Sequence, residues 1–302
     1  MTDEIVQWIR DRARPTHLLP LADLVGDAQV VALGASSRQS HELATASYGV
    51  IRQLVEELGF RSVALEGDDP SRLGLDEYLR TGEGDARALL AEARPFLRTE
   101  EILGTVLWMR AYNRGHPDDQ VRFAGTALRP LRKPSGLDGL AEIELGMAED
   151  MIEWHARTGD RIVYWGGMAH TAKGDPRTIS PSATPTTHRN AGGHLREHFG
   201  AGFVSIGQMF QHGKVPYPVP APPPEFAEAV LGSVGLPAYL LDLRGEAPEP
   251  VRNWLSAPAR TRLIGPAFDA AANADHYMAG GSLGEWFDAI IHVREVTPAL
   301  FF

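Results

Sequence analysis

The chain has 302 residues, 43% hydrophobic and 23% charged, with a formal net charge of −10. It contains no cysteine, which excludes a disulfide framework, thiolate metal sites and a cysteine nucleophile. The acidic balance argues against nucleic acid as a partner. Lys133, Lys173 and Lys214 are the only lysines, each beside a glycine or proline, so Schiff-base chemistry has three candidates. The length suits one large domain over 1–302. Met1–Arg14 is polar and carries both charge signs, without the apolar core of a signal peptide. No window approaches about 18 uninterrupted apolar residues. The expectation is a cytoplasmic protein that does not associate with membranes. Its oligomeric state cannot be read from the sequence.

Strands and helices alternate along the chain. Gln29–Leu33 is a short apolar run ending at Gly34 and reads as a buried strand. His41–Leu58 has helical spacing, with Val50, Leu54 and Leu58 on one face and Gly59 as the stop. Ser62–Glu66 is the second strand. Helical patterns follow at Asp76–Leu79, Asp85–Ala93 and Thr99–Tyr112, the last favoured at its N-terminus by Glu100 and Glu101. Val121–Ala124 reads as a strand, Leu137–Thr158 as a long helix, Arg161–Trp165 as a strand, Ala191–Phe199 as a helix and Gly202–Ile206 as a strand. Pro176–Pro185 reads as a loop, and Pro216–Pro224 as a stiff polyproline-like connector that could link domains. Ala238–Leu241 and Ala289–Val293 read as further strands of the same sheet, which favours one domain. The fold expected is α/β: a mainly parallel sheet flanked by helices, with a helical lobe, residues 76–114, inserted over the cleft.

Ligands of open parallel sheets sit beyond the carboxyl ends of the strands. Three polar clusters fall there. They are Gly34 to Glu42, Glu66-Gly67-Asp68-Asp69, and Gly166-Gly167-Met168-Ala169-His170. Their convergence would bring Arg38, His41, Glu66 and His170 around one cleft. Glu66 is the most telling, because a carboxylate ending an apolar strand is costly unless paired. His41 and Glu42 also suit a helix start, and His170 also suits a loop histidine held by backbone. Trp108, Tyr112 and Trp165 could line an apolar pocket, or belong to the core.

Two motif matches fail on context. Gly280-Gly281-Ser282-Leu283-Gly284 fits G-x-S-x-G, but no strand precedes the serine; a turn is expected. His194-Leu195-Arg196-Glu197-His198 fits H-x-x-E-H, but no third ligand is evident; a solvated helix face is expected. No dinucleotide or P-loop signature occurs. No metal and no cofactor are expected.

The stretch VVALGASSRQSHEL, then LVEELGFRSVALEGDDP, DEYLRTGEGD, LRTEEILGTVLWMRAYN, VRFAG, RIVYWGGMAH, AGGHLREHFGAGFVSIG and FDAIIHV, resembles the erythromycin esterase family in order and spacing. The likeness spans residues 20–298. It implies an α/β fold with a cleft between a sheet core and helical elements. It also implies lactone hydrolysis by water activated through histidine and carboxylate groups, without an obligatory metal. Departures from the pattern are specific. In the family's Gly-Glu-x-x-His-Gly motif, Ala35 stands for the glutamate, Arg38 for the histidine and Gln39 for the last glycine, while His41 and Glu42 persist. Ser47 stands for a basic residue, and Glu66 is retained. In the later His-Asn-x-His motif Gly167 and Met168 replace the first two residues, and His170 remains. His276 corresponds to a C-terminal histidine of the family.

Arginine does not act as a general base, because its pKa exceeds about 12. Arg38 instead suits carboxylate binding or oxyanion stabilisation. The catalytic set expected is Glu66, His41, Arg38 and His170, with Ser37, Glu42, Ser47, Trp108 and His276 on the substrate. Three functions compete. One is a natural-product tailoring enzyme doing non-hydrolytic acid–base chemistry (cyclisation, elimination or isomerisation) on a polyketide-like small molecule. The others are an ester or lactone hydrolase, and a non-catalytic small-molecule binding protein.

Overall fold

The computed structural model describes residues 2–16, 21–67, 69–125, 138–180, 185–265 and 267–302. In chain order the strands are β1 Val30–Ala35, β2 Ser62–Leu65, β3 Arg122–Phe123, β4 Ile162–Gly167, β5 Arg177–Ser180, β6 Thr186–His188, β7 Phe203–Lys214, β8 Pro218–Val219, β9 Ala238–Asp242, β10 Thr261–Arg262, β11 Tyr277–Ala279 and β12 Ala289–Val296. The main sheet runs β3-β2-β4-β1-β7-β12-β9. Every neighbouring pair in it is parallel except β12–β9, and β8 pairs antiparallel with the end of β7. The fold is therefore the expected mainly parallel α/β sheet with helices on both faces.

β1 is central and buried on both sides. Alternate residues point to opposite faces. Val31 and Leu33 join Val63, Leu65, Val163 and Trp165 under the helices His41–Glu56, Leu75–Thr81, Ala86–Ala91 and Glu100–Gly115. Val30 and Ala32 join Ile162, Tyr164 and Phe203 beneath the helices Asp138–Thr158 and Ala191–Phe199. Each such aliphatic side chain contributes roughly 1.5–3 kcal/mol by leaving water. The segment from Leu75 to Gly115 is inserted between β2 and β3, as expected of the helical lobe, and its core residues are continuous with those of the sheet.

One expectation needs correction. Pro176–Pro185 is not wholly loop: it contains β5, part of a second, antiparallel sheet ordered β10-β11-β5-β6; residues 181–184 lie outside the described residues. The proline-rich stretch packs back on the main sheet. β8 turns it back onto β7, and Arg262 Nη1 donates to Pro220 O at 2.8 Å.

The chain's last residues tie two helix starts together. Pro298 bridges Ser40, the N-cap of the His41–Glu56 helix, and Phe301 bridges Thr99, the N-cap of the Glu100–Gly115 helix.

Candidate active site

β1, β2 and β4 lie side by side and end in register, with Leu33 and Leu65 both opposite Trp165. Their carboxyl ends therefore deliver Arg38, Glu66 and His170 to one place. Glu66 follows β2, and its side chain is only 8% exposed. Its Oε1 is held by Arg38 Nη2 and lies 3.3 Å from His170 Nε2. Its Oε2 accepts the Gly167 N–H at 2.6 Å. Burial alone would raise the Glu66 pKa. The His170 charge, then the Arg38 charge and the Gly167 hydrogen bond, outweigh it and hold the carboxyl below its ordinary value.

His170 sits in a short helix directly after β4. Its Nδ1 donates to Glu144 Oε1 at 2.5 Å. Glu144, from the Asp138–Thr158 helix, is buried, and its Oε2 accepts the Ala191 N–H at 2.8 Å. His188 Nε2 stands 3.8 Å from the same carboxylate. Burial works against the His170 cation, but Glu144 and then Glu66 push its pKa up to about 9. Burial likewise opposes the Glu144 anion, but the His170 charge and hydrogen bond lower its pKa to about 2. At neutral pH the row Arg38, Glu66, His170, Glu144 alternates cation and anion. It holds an imidazolium as acid and a carboxylate as weak base.

The Arg38 guanidinium lies over the Phe96 ring, 4.6 Å from its centroid, and its Nε has no hydrogen-bond partner among the described residues. Arg38, Glu66, Phe96, Leu97, Ser37 and Ser47 border a cavity of about 40 Å³, space for about two or three waters. Ser47 Oγ donates to Gln208 Oε1 at 3.0 Å.

Glycine is required at the end of β4. A Cβ on Gly166 would lie 2.8 Å from Glu66 Oε2, and one on Gly167 would lie 2.8 Å from Arg38 Nη2. Gly167→Ala therefore displaces the Arg38 guanidinium, the end of a flexible side chain, against its contact with Glu66. We expect a loss of about 1–3 kcal/mol, read as a lower urea midpoint. An unchanged midpoint would show that Arg38 moves freely.

Other expected residues lie elsewhere. His41 does not join the cleft: its Nδ1 is 2.7 Å from Glu101 Oε1, on the border of a separate cavity. Glu42 accepts the Thr297 N–H and hydroxyl at 2.7 and 2.6 Å, fastening the C-terminal segment. Trp108 donates to Glu56 Oε1 at 3.1 Å, between the rings of Tyr48 and Tyr112. His276 Nε2 accepts the Asp269 N–H at 3.1 Å, beside the Phe268 ring. Ser282 was expected in a turn with no strand before it; instead β11 precedes it and a helix, Leu283–Trp286, follows, and Ser282 is that helix's N-cap, its hydroxyl accepting the Glu285 N–H. Asp68 lies outside the described residues. Glu144, Phe96 and Gln208 border or support the site without having been singled out in the sequence.

The erythromycin esterase family profile matches residues 55–143 and 133–296. The chain belongs to the erythromycin esterase family. Within the family, it is 27% identical over 129 residues to the Escherichia coli erythromycin esterase type II; that match spans 39% of this chain and 30% of the relative. Its fold is similar to that of a Bacillus cereus protein, with a TM-score of 0.83, 20% identity and coverage of 100% and 99% of the two chains. A solved structure described as a succinoglycan biosynthesis protein gives 0.80, 21% identity and coverage of 99% and 98%. A single-residue mutant of the erythromycin esterase EreC, in its open conformation, gives 0.66, 14% identity and coverage of 95% and 98%.

Proposed function

We propose that this member of the erythromycin esterase family is an enzyme that rearranges a small, polyketide-like molecule by acid–base chemistry without hydrolysis: a cyclisation, elimination or isomerisation. The observation that carries this reading is the Arg38–Glu66 contact at the strand ends, where the family pattern has a histidine in place of Arg38. A guanidinium does not accept a proton and so does not activate water. It is a strong, fixed partner for a developing oxyanion. The substrate carbonyl enters between Arg38 and His170. As its oxygen gains charge it draws Arg38 away from Glu66, whose carboxylate becomes more basic and takes the adjacent C–H proton. His170 then gives its proton to the oxygen or leaving group, and Glu144 keeps the imidazole oriented. Leu65, Leu97, Ile102 and Trp165 give the cavity an apolar border, which suits a reduced carbon skeleton. A volume of about 40 Å³ means that Phe96 and its helical segment part when substrate enters.

Hydrolysis is the second reading, favoured by the likeness to the Escherichia coli erythromycin esterase type II. Incubation with erythromycin in heavy-oxygen water separates the two. We expect no ring-opened product. A ring-opened acid carrying one solvent oxygen would establish the hydrolase instead.

A further inference from the structure

We propose that the groove between the helices His41–Glu56 and Glu100–Gly115 is a second ligand site, for a neutral glycosyl ring, and that His41 belongs to it. The groove has a volume of about 270 Å³, against about 40 Å³ at the Glu66 site. It approaches the lower limit of small-molecule pockets. The two cavities lie on different sides of the same helix pair. Ser40, Ala44 and Ser47 face the Glu66 cavity, whereas His41, Thr45 and Tyr48, one residue on in each case, face the groove.

The ligand class follows from what borders the groove. Glu100 and Glu101 are the charged residues among those that border it, and the cations next to them are already engaged, Arg87 with Glu100 and Arg52 with Glu56, so an anion is disfavoured. Both carboxylates already have cationic or hydrogen-bonding partners. Glu101 holds His41 Nδ1 at 2.7 Å and accepts the Leu300 N–H at 3.2 Å, and Glu100 pairs with Arg87 at 2.7 Å. A cation would have to displace these partners. The apolar surface is limited to Leu300, the Tyr48 ring and the bare backbone at Gly104, too little for a purely apolar guest. What fits is a neutral ring with hydroxyls on its edge and C–H groups on its face. The His41 ring, with Nδ1 fixed by Glu101, presents Nε2 as its remaining hydrogen-bonding atom. Thr45 and Tyr48 add hydroxyls, and Tyr48 adds a ring; Trp108 meets that ring edge-on with centroids 5.9 Å apart, and the Arg52 guanidinium lies 5.7 Å from its centroid.

Gly104 provides the test. A Cβ there meets no atom within 4 Å, and the position is exposed on the helix, so a large side chain can fill the groove without disturbing the core. The probes are methyl glucoside and methyl rhamnoside, with hexylamine and hexanoate as charged counterparts, measured by ligand-observed NMR and calorimetry on the intact chain. We expect a glycoside to bind with Kd of about 1–10 mM, and Gly104→Phe to weaken it by about 10-fold or more. Gly104→Ala should leave affinity within about twofold, and the urea midpoint of each variant verifies the fold. The proposal is overturned if neither glycoside binds, if hexylamine or hexanoate binds and the glycosides do not, or if Gly104→Phe binds as the parent does. It does not depend on the chemistry assigned to Glu66.

Discussion

Glu66→Gln lowers turnover by about 10²-fold or more and leaves the fold in place. Because the natural substrate is unidentified, the reaction to follow is exchange of α-hydrogens in a long-chain methyl ketone in deuterated water. This exchange is the proton-abstraction half of the proposed chemistry. Glutamine is nearly isosteric, and its amide oxygen can still accept the Gly167 N–H that Glu66 accepts at 2.6 Å. Its NH2 group, however, must then face Arg38 Nη2 and His170 Nε2, donor against donor. The base is lost outright. One of the two carboxylates holding the His170 pKa up to about 9 is lost with it. Any residual activity should therefore show its alkaline limb at lower pH. Removing one member of a buried ion set costs about 3–5 kcal/mol. Arg38 has a 30% exposed side chain and can recover water, so about 1–3 kcal/mol is expected. Exchange at the parental rate in Glu66→Gln, with an intact urea transition, would remove Glu66 from the mechanism.

The site was legible where physics forces a signature into sequence. Apolar runs that end in Gly34, Glu66 and Gly166 mark β1, β2 and β4, and parallel strands put such ends together. Arg38, Glu66 and His170 followed. His41 was expected in the same cleft, and helical phase places it on another side. It lies six residues before Ser47, which faces the Glu66 cavity, and six residues turn a helix to about 120° from the starting direction. Glu144 carries no comparable mark. It is one of several acidic residues along its helix, with Glu142, Glu149 and Asp150, and only His170 across the interface distinguishes the buried one. The second sheet escaped because its strands are two to four residues long and contain or adjoin serine, threonine and proline.

Two departures from the family pattern become one in three dimensions. In sequence, Arg38 for histidine and Gly167 for histidine are separate changes 129 residues apart. In the fold, a Cβ on Gly167 would meet the Arg38 guanidinium at 2.8 Å, so the long side chain at 38 needs the missing one at 167. The arginine is thus accommodated by the site, with a carboxylate, a ring face and a cleared backbone around it. The two departures are thus one local rearrangement of the strand ends.

Acid should destabilise the fold well before its carboxylates titrate, and His292 is the reason. It lies on β12 between β7 and β9, is fully buried, and neither ring nitrogen has a hydrogen-bond partner. Tyr239 packs 5.3 Å from its ring. Burial, with a smaller contribution from the Arg262 charge, pushes its pKa down from 6.5 to about 3. The folded protein therefore keeps a neutral ring where the unfolded chain takes up a proton. Stability from this group is complete above pH 6.5 and is lost as pH falls toward 3, by about 4–5 kcal/mol in all. That is a large part of the 5–15 kcal/mol typical of a domain. Over the same interval His170, whose folded pKa is about 9, gains stability as the pH falls below 6.5, and Glu66 and Glu144 begin to take up protons in the unfolded chain near pH 4.5, so His292 is isolated by comparison with a variant that lacks it. His194 also has a lowered pKa, but it sits on a partly exposed helix face and contributes less. Urea denaturation at pH 7 and pH 4.5 should show the parent losing roughly 2–3 kcal/mol more stability than His292→Leu, which keeps an apolar side chain of similar size in the sheet. Equal losses in the two proteins would mean that the acid sensitivity originates elsewhere.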